Sequence, residues 1–127
     1  MIEWVLDASA VLAAFYHEPG GEQVGHALPQ SILSAVNACE VVTGLIGRGT
    51  PPDTASQMVR NLTCQPIAVD TELGLRAGQL IVLTRSKGLS LGDRICLALA
   101  EREGVPALTA DRAWAELGLD IKVSLIR

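Results

Sequence analysis

The sequence has few aromatic residues: two tryptophans, one tyrosine and one phenylalanine among 127 residues. Hydrophobic residues nevertheless make up 49 % and charged residues 19 %. That balance excludes an intrinsically disordered chain, and it requires a core built from Leu, Val, Ile and Ala. The length fits one domain, so we expect a single domain over residues 1–127.

The cysteines and histidines lack the spacing of a disulfide framework or a zinc site. Cys39, Cys64 and Cys96 are odd in number and contain no C-x-x-C pattern. His17 and His26 form no H-x-x-x-H pattern. A chain of this kind is typical of a reducing compartment, and any metal site would have to use other ligands.

The sequence predicts neither a leader peptide nor a membrane span. The first residues, Met-Ile-Glu-Trp, lack the basic start of a signal peptide, and no run is long enough to span a bilayer. We therefore expect a cytoplasmic protein with no membrane partner. The net charge of −4 counts against a simple nucleic-acid-binding module, which normally has a basic surface. An enzyme that meets phosphate through a bound metal remains compatible with that charge.

Short apolar runs alternate with segments of helical character along the whole chain. Strands are predicted at residues 2–6, 32–33, 66–69, 105–109 and 121–125. Helices are predicted at residues 8–17, 21–28, 36–46, from an N-cap at Asp53, 70–85, 93–103 and 111–117. Such alternation predicts parallel strands with right-handed crossovers, hence a layered α/β domain. In that architecture the chemistry lies beyond the carboxyl ends of the strands.

Three aspartates each follow a predicted strand and precede a predicted helix. Asp7 and Asp111 stand in this position with apolar residues before them, and Asp70 stands in it as well. An aspartate there can simply cap the next helix. We interpret Asp70 as a cap, and position alone leaves both roles open for Asp7 and Asp111.

Two further acids lie within predicted helices. Glu40 and Asn37 are three residues apart and share one helical face in an apolar segment, although an exposed polar stripe is the alternative. Asp93 lies in Ser90-Leu91-Gly92-Asp93, a pattern that by itself indicates a capping box.

Convergence of these acids at one sheet edge would favour a metal site. Asp7 and Asp111 follow strands that can be neighbours, and Glu40 and Asp93 lie on helices that can lean over the same edge. Carboxylates crowded together repel one another and are costly to bury without a counter-ion. A hard divalent cation such as Mg²⁺, or Mn²⁺, resolves this with oxygen ligands.

Taken together, four segments of the chain resemble the PIN-domain ribonucleases, specifically the VapC-type toxins of bacterial toxin–antitoxin operons. The segments are residues 5–10, 34–41, 90–94 and 108–112, and their order and spacing agree across nearly the whole chain. The resemblance implies a three-layer α/β/α domain with a mainly parallel five-stranded sheet. It places the family's acidic quartet on Asp7, Glu40, Asp93 and Asp111, with supporting polar residues at Ser9, Asn37 and Thr109.

The same resemblance implies a Mg²⁺-dependent endoribonuclease. Asp7 and Asp93 would chiefly hold the metal, and Glu40 and Asp111 would hold its waters, orient the nucleophile or complete a second metal site. Family members usually form homodimers and are held inactive by an antitoxin that inserts a segment into the active-site groove.

Arg94 and Arg112 directly follow two of the quartet acids. Both are therefore candidates for contact with RNA phosphates. The alternative is that they serve solubility or form ion pairs with those acids.

Three rival functions use similar features. A catalytically inactive PIN-like domain would keep the acidic pocket as a docking surface for a partner protein. A phosphoacceptor signalling domain requires paired aspartates before the first helix and a lysine on a late strand. Lys122 lies on the last predicted strand, but the paired aspartates are lacking here. A haloacid-type phosphatase wants Asp-x-Asp where this chain has Asp7-Ala8-Ser9.

Overall fold

A five-stranded sheet in the order β3-β2-β1-β4-β5 forms the centre of the molecule. Every neighbouring pair of strands is parallel. This computed structural model describes all residues 1–127. The strands are β1 Trp4–Leu6, β2 Ser31–Ser34, β3 Gln65–Ile67, β4 Ala107–Thr109 and β5 Val123–Leu125.

Seven α-helices connect and flank the strands. They are α1 Ala8–Phe15, α2 Gly21–Ala27, α3 Ala35–Gly47, α4 Pro52–Arg60, α5 Thr71–Gln79, α6 Ile81–Thr84 and α7 Leu91–Glu103. Short 3₁₀ helices occupy Leu28–Gln30, Arg85–Lys87 and Arg112–Glu116. None of these helices has the length and hydropathy that a membrane span requires.

Apolar side chains cover the sheet on both faces. Successive strand residues point to opposite sides, so Val5 of β1 belongs to one buried cluster and Leu6 to the other. The first cluster contains the buried residues of α5 and α7, and the second contains those of α1 to α4. A strand buried on both faces reads as a continuous apolar run, as central strand β1 does here. The expected three-layer α/β/α architecture is confirmed.

Strand order reverses between β1 and β4. From β1 the chain builds outward through β2 and β3, and it then returns to add β4 and β5 on the other side of β1. Crevices for ligands form beyond the carboxyl ends of the strands at such a point. Asp7 follows β1 there, and Asp111 comes two residues after β4.

Serine caps begin the two longest helices, each of 13 residues. Ser34 accepts a hydrogen bond from the backbone N–H of Asn37 at the start of α3. Ser90 and Asp93 form a complete capping box at the start of α7, as their spacing predicted. The caps fix where α3 and α7 begin, and therefore where the side chains of their first two turns lie.

Two sequence expectations about helices were wrong. Asp53 does not cap α4: the helix begins at Pro52 with Pro51 as its N-cap, and Asp53 lies in the first turn. Proline has the φ angle that the first helical position requires, so it moves the start upstream. The helix expected over residues 70–85 is broken at Leu80 into α5 and α6. Gly74 and Gly78 weaken it there, because glycine has low helix propensity.

Candidate active site

Asp7 lies almost completely buried at the carboxyl end of β1, with 4 % of its surface exposed. It occupies the N-cap position of α1, yet its side chain makes no capping hydrogen bond. Its Oδ2 accepts hydrogen bonds from the hydroxyls of Ser9, at 2.6 Å, and Thr109, at 2.9 Å. The cap alternative is therefore not realised at Asp7, whose carboxylate is held by side chains from the first turn of α1 and the end of β4.

The two hydroxyls also join the end of β1 to the loop after β4. Ser9 Oγ accepts from the backbone N–H of Ala110, and Thr109 Oγ1 accepts from that of Asp111, both at 3.0 Å. Asp111 itself is exposed, and its Oδ1 accepts from the backbone N–H of Ala113 at 3.0 Å. Asp111 therefore does act as the cap of a short 3₁₀ helix, while hydrogen bonds through Thr109 link its backbone to Asp7.

Glu40 and Asn37 point from α3 towards the first turn of α7. Asn37 is fully buried, which rules out an exposed polar stripe at that position. Its Nδ2 donates to Glu40 Oε1 at 2.8 Å and to the carbonyl oxygen of Gly92 at 3.1 Å. This bidentate contact, termed here the Asn37 bridge, ties α3 to α7 where Asp93 also lies.

Asp93 is half-buried and uses one carboxylate oxygen as part of the capping box. Its Oδ2 accepts from the backbone N–H of Ser90 at 2.9 Å. Two negative side chains, Asp93 and Glu40, thus lie at the N-terminal turn of a helix, where the helix dipole favours anions. Asp93 therefore does cap α7, but only its Oδ2 takes part in the cap and its Oδ1 does not.

The four acids share one property: each has one carboxylate oxygen in a hydrogen bond and one without a hydrogen-bond partner. The free atoms are Oδ1 of Asp7, Oε2 of Glu40, Oδ1 of Asp93 and Oδ2 of Asp111. None of the four takes part in any of the seven ion pairs of the molecule. They are oriented by the protein, and their negative charge is not neutralised by it.

Three of the acids also interact electrostatically. Burial raises the pKa of Asp7, and the charge of Asp93 raises it further against the lowering effect of the Ser9 and Thr109 hydroxyls. Burial likewise raises the pKa of Glu40, with Asp7 and Asp93 adding to it and Asn37 opposing it. Beneath them, burial and then the same three charges raise the pKa of the Cys96 thiol. Asp7, Glu40 and Asp93 therefore act on one another as like charges, which a cation would relieve.

The donor set fits a hard divalent cation such as Mg²⁺ or Mn²⁺. It consists of carboxylate oxygens alone, without the imidazole or thiolate ligands that zinc sites use. No three acidic, histidine or cysteine side chains converge tightly enough to form a complete metal cage. Mg²⁺ does not require one, because it keeps several waters and is bound through one or two carboxylates.

Arg94 and Arg112 form no ion pair with the acids beside them. Arg112 is exposed, and Arg94 is half-buried with its Nε enclosed and without a hydrogen-bond partner. The expected alternative of pairing with Asp93 or Asp111 is therefore not seen.

The largest cavity of the molecule, about 510 Å³, lies elsewhere, between α3, α4 and β3. Its lining is mostly apolar and includes Leu33, Val59 and Pro66, but none of the four acids. The hydrogen bonds and charges of the acids identify the candidate site better than cavity size does, since the lining of the cavity is mostly apolar.

Sequence reasoning did not single out Ser34, Gly92 and Cys96 as part of this site. Ser34 has a readable signal, because a serine three residues before Asn37 is a typical N-cap spacing. Cys96 is one helical turn after Asp93, so helical periodicity would have placed it beneath that residue. Gly92 has no such signal, since its importance depends on a side chain from another helix.

Comparison with known proteins gives a family match and several structural matches. Residues 4–119 match the PIN domain family. No curated protein matches the chain. The fold is similar to that of a toxin–antitoxin complex from Klebsiella pneumoniae, with a TM-score of 0.73 and 20 % identity, covering 98 % of each chain.

Two further solved structures have the same fold. VapC20 of Mycobacterium tuberculosis, described as a sarcin–ricin loop cleaving toxin, has a TM-score of 0.76 and 17 % identity, covering 94 % of this chain and 99 % of that one. DNA-bound VapBC from Salmonella typhimurium has a TM-score of 0.76 and 16 % identity over the full length of both chains. At these identities the likeness establishes a shared fold.

Proposed function

This chain belongs to the PIN domain family, and on that premise we propose that it is a metal-dependent endoribonuclease, the toxin of a type II toxin–antitoxin pair. One observation carries the proposal. The four acids Asp7, Glu40, Asp93 and Asp111 each keep one carboxylate oxygen free, and none has a cationic partner. A protein retains unpaired carboxylates of this kind, one of them almost fully buried, where an external cation compensates them.

In this proposal Asp7 and Asp93 are the chief metal-binding residues. When bound, Mg²⁺ or Mn²⁺ would supply Lewis-acid chemistry, which lowers the pKa of water and offsets the charge of a phosphate. Ser9 and Thr109 both donate hydrogen bonds to Oδ2 of Asp7. These two bonds fix the orientation of the carboxylate and leave Oδ1 free. Glu40 and Asp111 hold and orient water at the site or complete a second metal position. By family analogy the cleavage leaves a 5′-phosphate and a 3′-hydroxyl.

We further propose that Arg94 and Arg112 contact RNA phosphates on either side of the scissile bond. Five of the ten basic residues are engaged in ion pairs, and these two are not. Arg112 is exposed and keeps its whole planar donor fork available for phosphate, whereas Arg94, whose Nε is enclosed, would use its terminal nitrogens.

The proposed protein partner is a cognate antitoxin with basic groups. Solved structures of this fold include toxin–antitoxin complexes, and an acidic site without its own counter-charge attracts a cationic side chain. An antitoxin arginine would then compete with the metal. A homodimer, a hetero-oligomer with the antitoxin and a cytoplasmic location complete the proposal.

The deciding experiment is RNA cleavage by the purified chain with Mg²⁺, Mn²⁺ or EDTA. We expect cleavage with either metal, none with EDTA, and cleavage lowered by about a hundredfold or more in Asp7→Asn. Asp70→Asn is the matched control, because Asp70 has the same strand-end position and lies outside the proposed site. Equal RNA cleavage by wild type and Asp7→Asn would refute the proposal. No cleavage by wild type, with antitoxin binding retained, would instead favour a catalytically inactive partner-binding domain.

A further inference from the structure

We infer that Gly92 and Ser34 are positioning residues that set the location of the Glu40 carboxylate through the Asn37 bridge. The inference rests on the proposed function in so far as Glu40 serves the metal site. The steric and hydrogen-bonding arrangement beneath it is a property of the metal-free chain and can be measured without catalysis.

Every hydrogen-bonding group of the Asn37 side chain is used. The amide nitrogen donates one hydrogen bond to Glu40 Oε1 and another to the carbonyl oxygen of Gly92. The amide oxygen accepts from the hydroxyl of Ser34 at 2.7 Å. A primary amide has two N–H donors, so both are accounted for, and the side chain is fully buried.

Ser34 acts together with Glu40 and Gly92 to decide which end of the Asn37 amide faces Glu40. Its Oγ accepts from the backbone N–H of Asn37 at 3.0 Å, and its own hydrogen therefore points to Asn37 Oδ1. With the amide reversed, its oxygen would face Glu40 Oε1 and the Gly92 carbonyl, which are both acceptors. Three buried acceptors without a donor between them are unfavourable, so Glu40 and Gly92 disfavour the reversed amide, while the Ser34 hydroxyl donates to the oxygen of the productive one.

Gly92 leaves the space into which the Glu40 carboxylate fits. A Cβ added at Gly92 would overlap Cδ, Oε1 and Oε2 of Glu40, which thus lies directly against the glycine Cα. The backbone of Gly92 sits in the first turn of α7 with φ in the ordinary range, so no turn requires glycine there. Glycine also lowers helix propensity relative to alanine. The absent side chain therefore serves Glu40, at a cost to the helix.

The arrangement matters because Glu40 has a long, flexible side chain. Without the bridge and the space beside Gly92, its carboxylate would sample several rotamers, each placing Oε2 differently. With them, the carboxylate stays beside the first turn of α7, where Asp93 also lies. Residues that orient a metal-binding group in this way typically change metal affinity by 10–100-fold when replaced.

Gly92→Ala is the direct test, with Gly74→Ala as its matched control. Both glycines lie in helices, but nothing approaches a Cβ added at Gly74. We expect Gly74→Ala to raise the melting temperature and to leave the Mn²⁺ affinity, measured by titration calorimetry, unchanged. We expect Gly92→Ala to stay folded and to bind Mn²⁺ about tenfold more weakly or worse. Unchanged Mn²⁺ affinity in Gly92→Ala would overturn the inference.

A double-mutant cycle with Glu40→Asp separates positioning from a general disturbance of α7. Aspartate is one methylene shorter, so it does not reach the space that the new methyl group occupies. We expect Gly92→Ala to weaken Mn²⁺ binding strongly when residue 40 is glutamate and little when it is aspartate. Equal effects of Gly92→Ala in both backgrounds would show that Glu40 is not the residue it acts through.

Side-chain amide resonances of Asn37 test the inference in the absence of metal. In wild type with EDTA we expect two slowly exchanging Nδ2 protons, because both are buried and bonded. Ser34→Ala and Gly92→Ala should each speed their exchange, whereas Gly74→Ala should not. If Ser34 were only a helix cap, Ser34→Ala would lower the melting temperature and leave Mn²⁺ affinity as in wild type. A wild type that protects these protons but binds no Mn²⁺ would refute the proposed function and leave the positioning intact.

Discussion

Asp7 and Asp70 occupy the same kind of position and end in different roles. Both have extended backbone at the N-cap of a helix that follows a strand. Asp70 uses both oxygens: Oδ1 caps the backbone N–H of Leu73 at 2.8 Å, and Oδ2 accepts from Arg102 at 3.1 Å. Asp7 caps nothing and pairs with no cation. The local sequence is alike, and the sheet position differs, since Asp7 follows the central strand and Asp70 follows an edge strand.

The pKa values of the two aspartates are shifted in opposite directions. Burial raises the pKa of Asp7, so ionising it costs the folded state stability. The hydrogen bond from Leu73, and then Arg102, lower the pKa of Asp70, so ionising it favours the folded state. Asp70 is thus explained by folding alone. Asp7, by contrast, lowers the stability of the fold when it is ionised, which is common for groups that are retained for function.

The largest expected difference between the two aspartates is seen when each is replaced by asparagine. Asp7→Asn should lower RNA cleavage and Mn²⁺ affinity by about a hundredfold or more, because a proposed direct ligand is lost. It should also raise the melting temperature in EDTA, because a buried charge is removed. Asp70→Asn should do neither, and should lower the melting temperature because its ion pair with Arg102 is lost. Enzyme assays and thermal unfolding of both variants measure this, and parallel behaviour would erase the distinction.

The hydroxyls around Asp7 provide the second test. Ser9→Ala and Thr109→Val each remove one donor to Oδ2 and should weaken Mn²⁺ binding by roughly 10–100-fold. Ser31→Ala is the control: Ser31 is as buried as Thr109, begins β2, and donates to the carbonyl oxygen of Ala27 at 2.7 Å. Its loss should affect stability alone. Weaker Mn²⁺ binding in Ser31→Ala would mean that metal affinity follows general stability.

Stability against pH in EDTA sharpens the comparison further. The folded pKa of Asp7 lies above its ordinary value of 3.8, so the free energy of unfolding falls as pH rises from that value through the raised pKa. The folded pKa of Asp70 lies below 3.8, so its stabilisation is present above that value and is lost as pH falls through the lowered pKa.

Urea unfolding over a pH series should therefore show maximum stability near the ordinary aspartate pKa of 3.8. Asp7→Asn should flatten the decline towards neutral pH, and Asp70→Asn should flatten the loss at acid pH. Saturating Mn²⁺ should abolish the neutral-side decline in wild type. A decline that survives Asp7→Asn unchanged would have to be assigned to Glu40, whose pKa is also raised by burial.

The sequence predicted the strands, most helices and the layered fold, because apolar periodicity and caps are local features. It left Asp7 and Asp111 undecided between cap and site, since the deciding partner of Asp7, Thr109, lies 102 residues away. The structure separates them: Asp7 does not cap, whereas Asp111 does. Gly92 could not be recognised either, because its role depends on Glu40 of another helix. Contacts between distant segments are what the sequence alone does not specify.

The smallest expected effect comes from replacing the arginines that lie beside Asp70 and Asp111. Arg102 is committed to Asp70 and Glu103, whereas Arg112 is exposed and unpaired next to Asp111. Arg112→Ala should weaken binding of RNA to an inactive Asp7→Asn background by a few fold and reduce the slope of log affinity against log salt by about one. Arg102→Ala should leave the slope unchanged, because its guanidinium is already neutralised. Equal slopes for all three proteins would place the RNA backbone away from Arg112, leaving the half-buried Arg94 as the remaining phosphate contact beside the acids.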